Sequence, residues 1–253
     1  MGIEIFKKHL REKRAIKIST KSNDIDMIAK ICRAAQSSKA SAIDIQANKK
    51  AYDVARKNCK LPIFTTSANP FEILEAVKLG ADGIHIGGYL EYYKKGRFFS
   101  ANEIYDISLE TLGLINNYDV FISATIPNYL EIEEQVNLIK KLQLLGVELF
   151  QIDGVEITTK TNGLIIENSN SSISNMLELF KKVGADFMTT ATDVASIKAS
   201  IDNGACAVNV ENMSKIDSEN TIKMIILEMV SSISHKNSLY KEIPKSIREM
   251  QLN

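Results

Sequence analysis

Apolar residues gather in eight short runs rich in β-branched side chains, separated by longer stretches of helical period. The runs are AIKIST (15–20), SAIDIQ (41–46), LPIFTTS (61–67), DGIHIGG (82–88), DVFISAT (119–125), VELFQID (147–153), ADFMTTA (185–191) and ACAVNVE (205–211). Each predicts a buried strand. Between them, IDMIAKICRAA (25–35) sets Ile28, Ile31, Cys32 and Ala35 on one helical face. IEEQVNLIKKLQLLG (132–146) does the same with Val136, Ile139, Leu142 and Leu145, and stops at Gly146. Asn69-Pro70 reads as an N-cap followed by a first-turn proline.

Strand then helix, eight times, predicts a single (β/α)8 TIM barrel of class α/β over residues 1–235, followed by a polar tail over 236–253. The joints KLGADGIHI, KKVGADFMT and DNGACAVNV, with LLGVELFQI as a looser fourth, each place a helix-ending glycine directly before a strand. A doubly wound open sheet uses the same joints, but no GxGxxG follows the first strand. Two segments interrupt the rhythm. GYLEYYKKGRFFSANE (88–103) is expected as a solvated loop, with an aromatic and basic lid as the other reading. In 154–174, TTKTNGLII predicts a hairpin with Asn162-Gly163 as its turn.

Within these runs, one polar residue repeatedly sits between two apolar ones: Lys17, Asp44, His85, Gln151 and Asn209, with Ser123 and Thr189 in comparable places. A period of two aims the apolar flanks at the helices and the polar residue into the barrel. One step further on, Ser19, Gln46, Gly87, Thr125, Asp153 and Glu211 are expected at the mouth. Buried polar groups without partners cost several kcal/mol each (about 2–7), so they must satisfy one another, water or a ligand. A self-satisfied polar plug is the alternative to a site.

Lys17 carries two readings. A lysine in an apolar cage forms a Schiff base with a carbonyl compound; an ammonium paired with Asp44 binds a carboxylate or phosphate. His85 is an acid–base group or a neutral hydrogen-bonding partner of Asp44. Asp153 is a ligand contact or a turn former. Lys17, Asp44 and His85 are thus the candidate catalytic residues. Gln46, Gln151, Asp153, Asn209, Ser123 and Thr189 are the candidate ligand-binding residues.

Composition narrows the partners. Thirty-one basic residues balance thirty-one acidic ones, which argues against a nucleic-acid or anionic-membrane surface. No stretch approaches the ~18 apolar residues of a membrane span, and the N-terminus lacks a secretory h-region. Three scattered cysteines and three histidines supply no structural zinc set; the cysteines suit reduced thiols. A small-molecule ligand is the expected partner, and a homo-oligomer stays open.

The phrases REKRAIKIST, AIDIQAN, LPIFTTSANP, GADGIHIGGYLEYYKKGRFFSANEI, ISATIPNYLEIEEQVNLIKKLQLLGVELFQIDG and VSSIS together resemble the hypothetical chloroplast reading-frame family numbered twenty-three of red-lineage plastids and cyanobacteria. The resemblance covers residues 1–235. It implies a barrel related to the ribulose-phosphate-binding and flavin-binding barrels and a plastid stroma location, and it brings no assigned catalytic residues. Such barrels hold phosphate on glycine-rich turns after strands 7 and 8. Here those turns read Thr190-Ala191-Thr192-Asp193 and Asn209-Val210-Glu211-Asn212, without glycine and with two added carboxylates. Phosphate or flavin is therefore not expected at that grip. The expected function is a lyase, aldolase or synthase acting on a small carbonyl or carboxylate metabolite through Lys17. The alternatives are a non-catalytic metabolite-binding or regulatory barrel and, behind it, a flavoprotein.

Overall fold

A computed structural model of the chain describes residues 2–152, 155–160, 163–168 and 179–234, with side chains for 2–151 and 179–234. The expected boundary at 235 and the polar tail lie outside the described residues. The strands are β1 (Ala15–Thr20), β2 (Ala42–Gln46), β3 (Ile63–Ser67), β4 (Gly83–Ile86), β5 (Phe121–Ile126), β6 (Leu149–Ile152), β7 (Val155–Lys160), β8 (Gly163–Asn168), β9 (Phe187–Ala191) and β10 (Ala207–Val210). Eight of them close a barrel in the order β1-β10-β9-β6-β5-β4-β3-β2, while β7 and β8 form a separate hairpin. The barrel strands pair in parallel, as the eightfold strand–helix rhythm predicts. The helices are α1 (Gly2–Arg11), α2 (Ile25–Ser37), α3 (Lys49–Asn58), α4 (Pro70–Lys78), α5 (Leu90–Tyr93), α6 (Ala101–Leu114), α7 (Ile132–Leu144), α8 (Val194–Asp202) and α9 (Glu219–Ser232).

Residues group into two compact units, one of residues up to 64 together with those from 191 onward, the other of residues 65–190. In the first, β1 lies between β10 and β2, with Lys17 opposite Asn209 and Ser19 opposite Asp44. Ile16, Ile18, Ile43, Ile45, Val208 and Val210 are buried beside them. The alternation thus survives as a strand whose both faces are enclosed. Helix α1 has no counterpart in the predicted elements. Of its apolar residues only Phe6 and Leu10 are buried, and Phe6 packs its ring 4.8 Å from that of Phe64. His9 Nδ1 lies 2.8 Å from Ser41 Oγ, which also accepts the Ile16 amide, so α1 is tied to the start of β1 and β2.

In the second unit, β4, β5 and β6 run side by side, with His85 opposite Ser123 and Thr125 opposite Gln151. Asn69 caps α4 through the Phe71 amide, with Pro70 in the first turn. Gly146 follows α7 at φ +95°, the left-handed conformation that closes a helix before a strand. The segment after β4 departs from the solvated loop expected of it. It forms α5 and then a capping box, Ser100 with Glu103, that starts α6. Tyr89 and Tyr93 are buried. Tyr93 stacks on Phe98 at 5.3 Å, and Tyr129 meets Tyr93 edge-on at 5.4 Å. Tyr129 Oη accepts the Phe99 amide and donates to the Phe99 carbonyl. Aromatic area buried at this scale outweighs the exposed lysines of the same phrase. The β7–β8 hairpin forms, but Lys160 pairs with Gly163. The connecting residues are therefore 161 and 162, one position earlier than Asn162-Gly163, and both lie outside the described residues.

Candidate functional site

The first unit brings together four of the polar residues on β1, β2 and the end of β10. Lys17 is fully enclosed, and its Nζ stands 2.7 Å from Asp44 Oδ2, itself buried. Nζ also lies 5.3 Å from the centre of the Phe64 ring, whose face attracts the cation. The contact with Asp44 is an ion pair, and beyond it Nζ has no hydrogen-bond partner among the described residues. Asn209, 2% exposed, donates from Nδ2 to Glu211 Oε1 at 3.3 Å. Lys21 Nζ reaches the same oxygen at 3.1 Å. Because the carboxylate of Glu211 can only accept, Asn209 must point its amide nitrogen there and its Oδ1 away. That Oδ1 is buried and has no partner among the described residues. Gln46, the last residue of β2, is exposed. Asp153 lies outside the described residues.

The second unit holds His85. Its Nδ1 is 2.9 Å from Ser123 Oγ and its Nε2 is 2.7 Å from Thr125 Oγ1. Ser123 spends its only proton on the Ile84 carbonyl, 2.9 Å away. It must therefore accept from Nδ1–H, which in the neutral ring leaves Nε2 to accept from the Thr125 hydroxyl. Each ring nitrogen thus has a hydroxyl partner on β5. Sequence reasoning named Ser123 and Thr125 as polar positions but did not join them to His85; the strand register that sets them side by side is the missing signal. Gly87 belongs to this cluster too. A Cβ built there would sit 2.5 Å from Thr125 Oγ1 and 2.9 Å from His85 Nε2, so only glycine lets the pair close. Elsewhere in this unit, Thr65 Oγ1, Gln151 Oε1 and Thr189 Oγ1 are buried without hydrogen-bond partners among the described residues.

The grip that barrels of this type use for phosphate does not fit one here. Asp193 caps α8, accepting from the Ser196 amide at 2.8 Å and the Ser196 hydroxyl at 3.0 Å. The helix N-terminus that would hold an anion is already served by a carboxylate. Glu211 follows β10 and binds Lys21 and Asn209. Among the described residues no group of three or more His, Cys, Asp or Glu side chains could hold a metal ion, and no helix is long and apolar enough to cross a membrane. The cysteines are not as scattered as their spacing suggests. The thiols of Cys32 and Cys59 are hydrogen-bonded; that bond, followed by burial, pushes the Cys32 thiol far above its usual range.

Among solved structures, the chain is similar to a truncated 3-deoxy-D-arabino-heptulosonate 7-phosphate synthase from Thermotoga maritima. The TM-score is 0.58 at 13% identity, covering 94% of this chain and 85% of that one. A putative fructose-1,6-biphosphate aldolase from Coccidioides immitis gives a TM-score of 0.56 at 12% identity, with 98% of both chains covered. These likenesses are of fold. In sequence, the chain is 27% identical over 250 residues to the uncharacterized protein ycf23 of Pyropia yezoensis, covering 96% of this chain and 90% of that one. The corresponding protein of Cyanophora paradoxa is 25% identical over 237 residues, with 91% and 97% covered. These relatives are plastid-genome proteins of red algae and a glaucophyte. The family described as "Protein of unknown function (DUF561)" matches residues 3–239. With that match spanning nearly the whole barrel, the chain belongs to the DUF561 family and is a plastid-encoded protein of TIM-barrel fold.

Proposed function

We propose that the chain is a lyase-, aldolase- or synthase-type barrel that takes a small carbonyl or carboxylate metabolite at Lys17. The observation that carries this is the buried Lys17–Asp44 pair, 2.7 Å apart, beyond which Nζ, with three donors, finds no other hydrogen-bond partner among the described residues. A structural plug would be expected to use those protons, since an open charged donor is the costliest group to bury. The pair also supplies what imine chemistry needs. Asp44 takes a proton from the ammonium, and the freed amine attacks the carbonyl carbon. Loss of the carbonyl oxygen as water, with the proton returned from Asp44, leaves a protonated Schiff base on Nζ. With a carboxylate ligand the same ammonium acts as an anion partner.

The test is borohydride trapping with a series of small 2-oxo acids and hydroxyketones, followed by mass spectrometry of the Lys17 peptide. A stable adduct on Lys17, absent in Lys17→Arg, is the expected result. If no carbonyl compound is trapped, and Lys17→Ala binds small carboxylates as the wild type does, the proposal fails. A second reading, a non-catalytic metabolite-binding barrel, is favoured by the self-capped start of α8; it predicts Lys17-dependent binding with no trapped adduct and no turnover.

A further inference from the structure

Lys17 and Asn209 face each other across β1 and β10 in register, so their side chains leave the sheet on the same side, about 5 Å apart at the backbone. Both are more than nine-tenths buried. One offers only donors, the other, with its amide orientation fixed by Glu211, an open acceptor. They do not satisfy each other, although they are neighbours. What fits between them is a group that accepts from Nζ and donates to Oδ1. Charge narrows the choice further. Lys17 is matched by Asp44 and Lys21 by Glu211, so this corner carries two neutralised pairs and no spare positive charge. At the start of α8 the Ser196 amide is taken by the Asp193 carboxylate. A phosphate dianion finds no cation in excess and meets the Asp193 carboxylate at the helix end.

We infer that Lys17 and Asn209 form a selecting pair for an unphosphorylated hydroxy-carbonyl or hydroxy-carboxylate compound. Its carbonyl or carboxylate oxygen accepts from Lys17 Nζ, and a hydroxyl on a neighbouring carbon donates to Asn209 Oδ1. The inference rests on the metabolite site at Lys17 and adds to it the class of compound. Asn209 is here a specificity residue; the amine chemistry does not pass through it. A bridging water meets the same two demands and defines the competing outcome, in which the hydroxyl brings no gain in affinity.

The experiment compares glycolate, acetate and 2-phosphoglycolate by titration calorimetry on the full chain, in the wild type, Asn209→Ala and Lys17→Ala. A site with a buried acceptor aimed at a hydroxyl discriminates against the compound lacking it. Glycolate is therefore expected to bind at least about tenfold more tightly than acetate, one buried hydrogen bond's worth. 2-Phosphoglycolate is expected to bind no better than acetate. Asn209→Ala brings the glycolate-to-acetate ratio near one, and Lys17→Ala removes binding of both. A wild-type ratio near one, a ratio unmoved by Asn209→Ala, or tightest binding of 2-phosphoglycolate overturns the inference; Lys17-dependent acetate binding in the same data keeps the site at Lys17. Absence of Lys17-dependent binding for all three overturns both. Should Asn209→Ala fail to fold, the wild-type ratio decides alone.

Discussion

Replacing Asp44 by asparagine keeps the shape of the side chain, removes its charge and turns one acceptor oxygen into a donor. At the observed 2.7 Å, the attraction between Lys17 and Asp44 is about 6 kcal/mol at an effective dielectric near 20. Most of that offsets the several kcal/mol each ion loses on leaving water, so the intact pair contributes little net stability. Asp44→Asn changes the balance: the desolvation of Lys17 remains and its compensation is gone. The expected loss is about 3–5 kcal/mol. In Lys17→Met/Asp44→Asn both charges are gone, and a long flexible apolar chain fills the volume of the lysine stem against Phe64. That variant should return to within about 1 kcal/mol of the wild type. The assay is urea unfolding followed by far-ultraviolet circular dichroism, comparing midpoints at constant slope. A loss below about 1 kcal/mol for Asp44→Asn, or a double variant as unstable as the single one, refutes the account of an enclosed, mutually dependent pair. Stability recovered together with loss of ligand binding separates a pair kept for function from one kept for folding.

Gly87→Ala drives a Cβ into the His85–Thr125 bond and should cost about 2–4 kcal/mol in the same assay; adding Thr125→Ala should restore part of the loss, and a cost within about 0.5 kcal/mol of zero refutes the contact. His9 is held below the ordinary histidine value of 6.5, first by burial and then by Arg14 and Lys8 against Glu12. Since the unfolded chain then binds the proton more readily, stability is full above pH 6.5 and falls as pH drops through the lower folded value. His9→Gln should flatten that slope in pH-resolved unfolding, and an unchanged slope removes His9 as its source. Cys32, buried and bonded to Cys59, should resist iodoacetamide at mildly alkaline pH until the chain unfolds. Native labelling at the rate of a free thiol would show the thiol pair is wrong.

What could be read along the chain is what local pattern determines. The bounds of β1 were legible to the residue, because AIKIST is enclosed on both faces and ends in the polar Lys21-Ser22. The same alternation placed Lys17, Asp44, His85 and Asn209 at buried positions. It could not tell that Gln46, one step beyond the buried Ile45, is exposed to solvent. Nor could it assign partners. His85 meets Ser123 and Thr125 across a register set by two strands some forty residues apart in the chain, while its pattern is equally compatible with an acidic neighbour. Helix α1 escaped notice because it buries only Phe6 and Leu10 in a segment rich in charge, and Phe64, which Phe6 packs against, lies far along the chain. The buried tyrosines after β4 were hidden for the same reason: Tyr129, which locks Phe99, comes from the next loop.

The two clusters differ in a way that bears on why these polar residues are kept. Around His85, one proton assignment gives every ring nitrogen and hydroxyl a partner: Nδ1–H to Ser123, Ser123 to the Ile84 carbonyl, Thr125 to Nε2. A network of that kind rigidifies strands and needs nothing from outside. Around Lys17, pairing stops short: the ammonium has Asp44 and no further partner among the described residues, and Asn209 Oδ1 is left open. Valine, isoleucine and leucine would fill a barrel interior without that cost. Neutral open acceptors and hydroxyls, such as those of Gln151 and Thr189, are the cheaper kind to leave. An enclosed lysine is the expensive kind, and stability alone gives no reason for it. Its presence is therefore the strongest argument that this corner of the fold answers to a ligand.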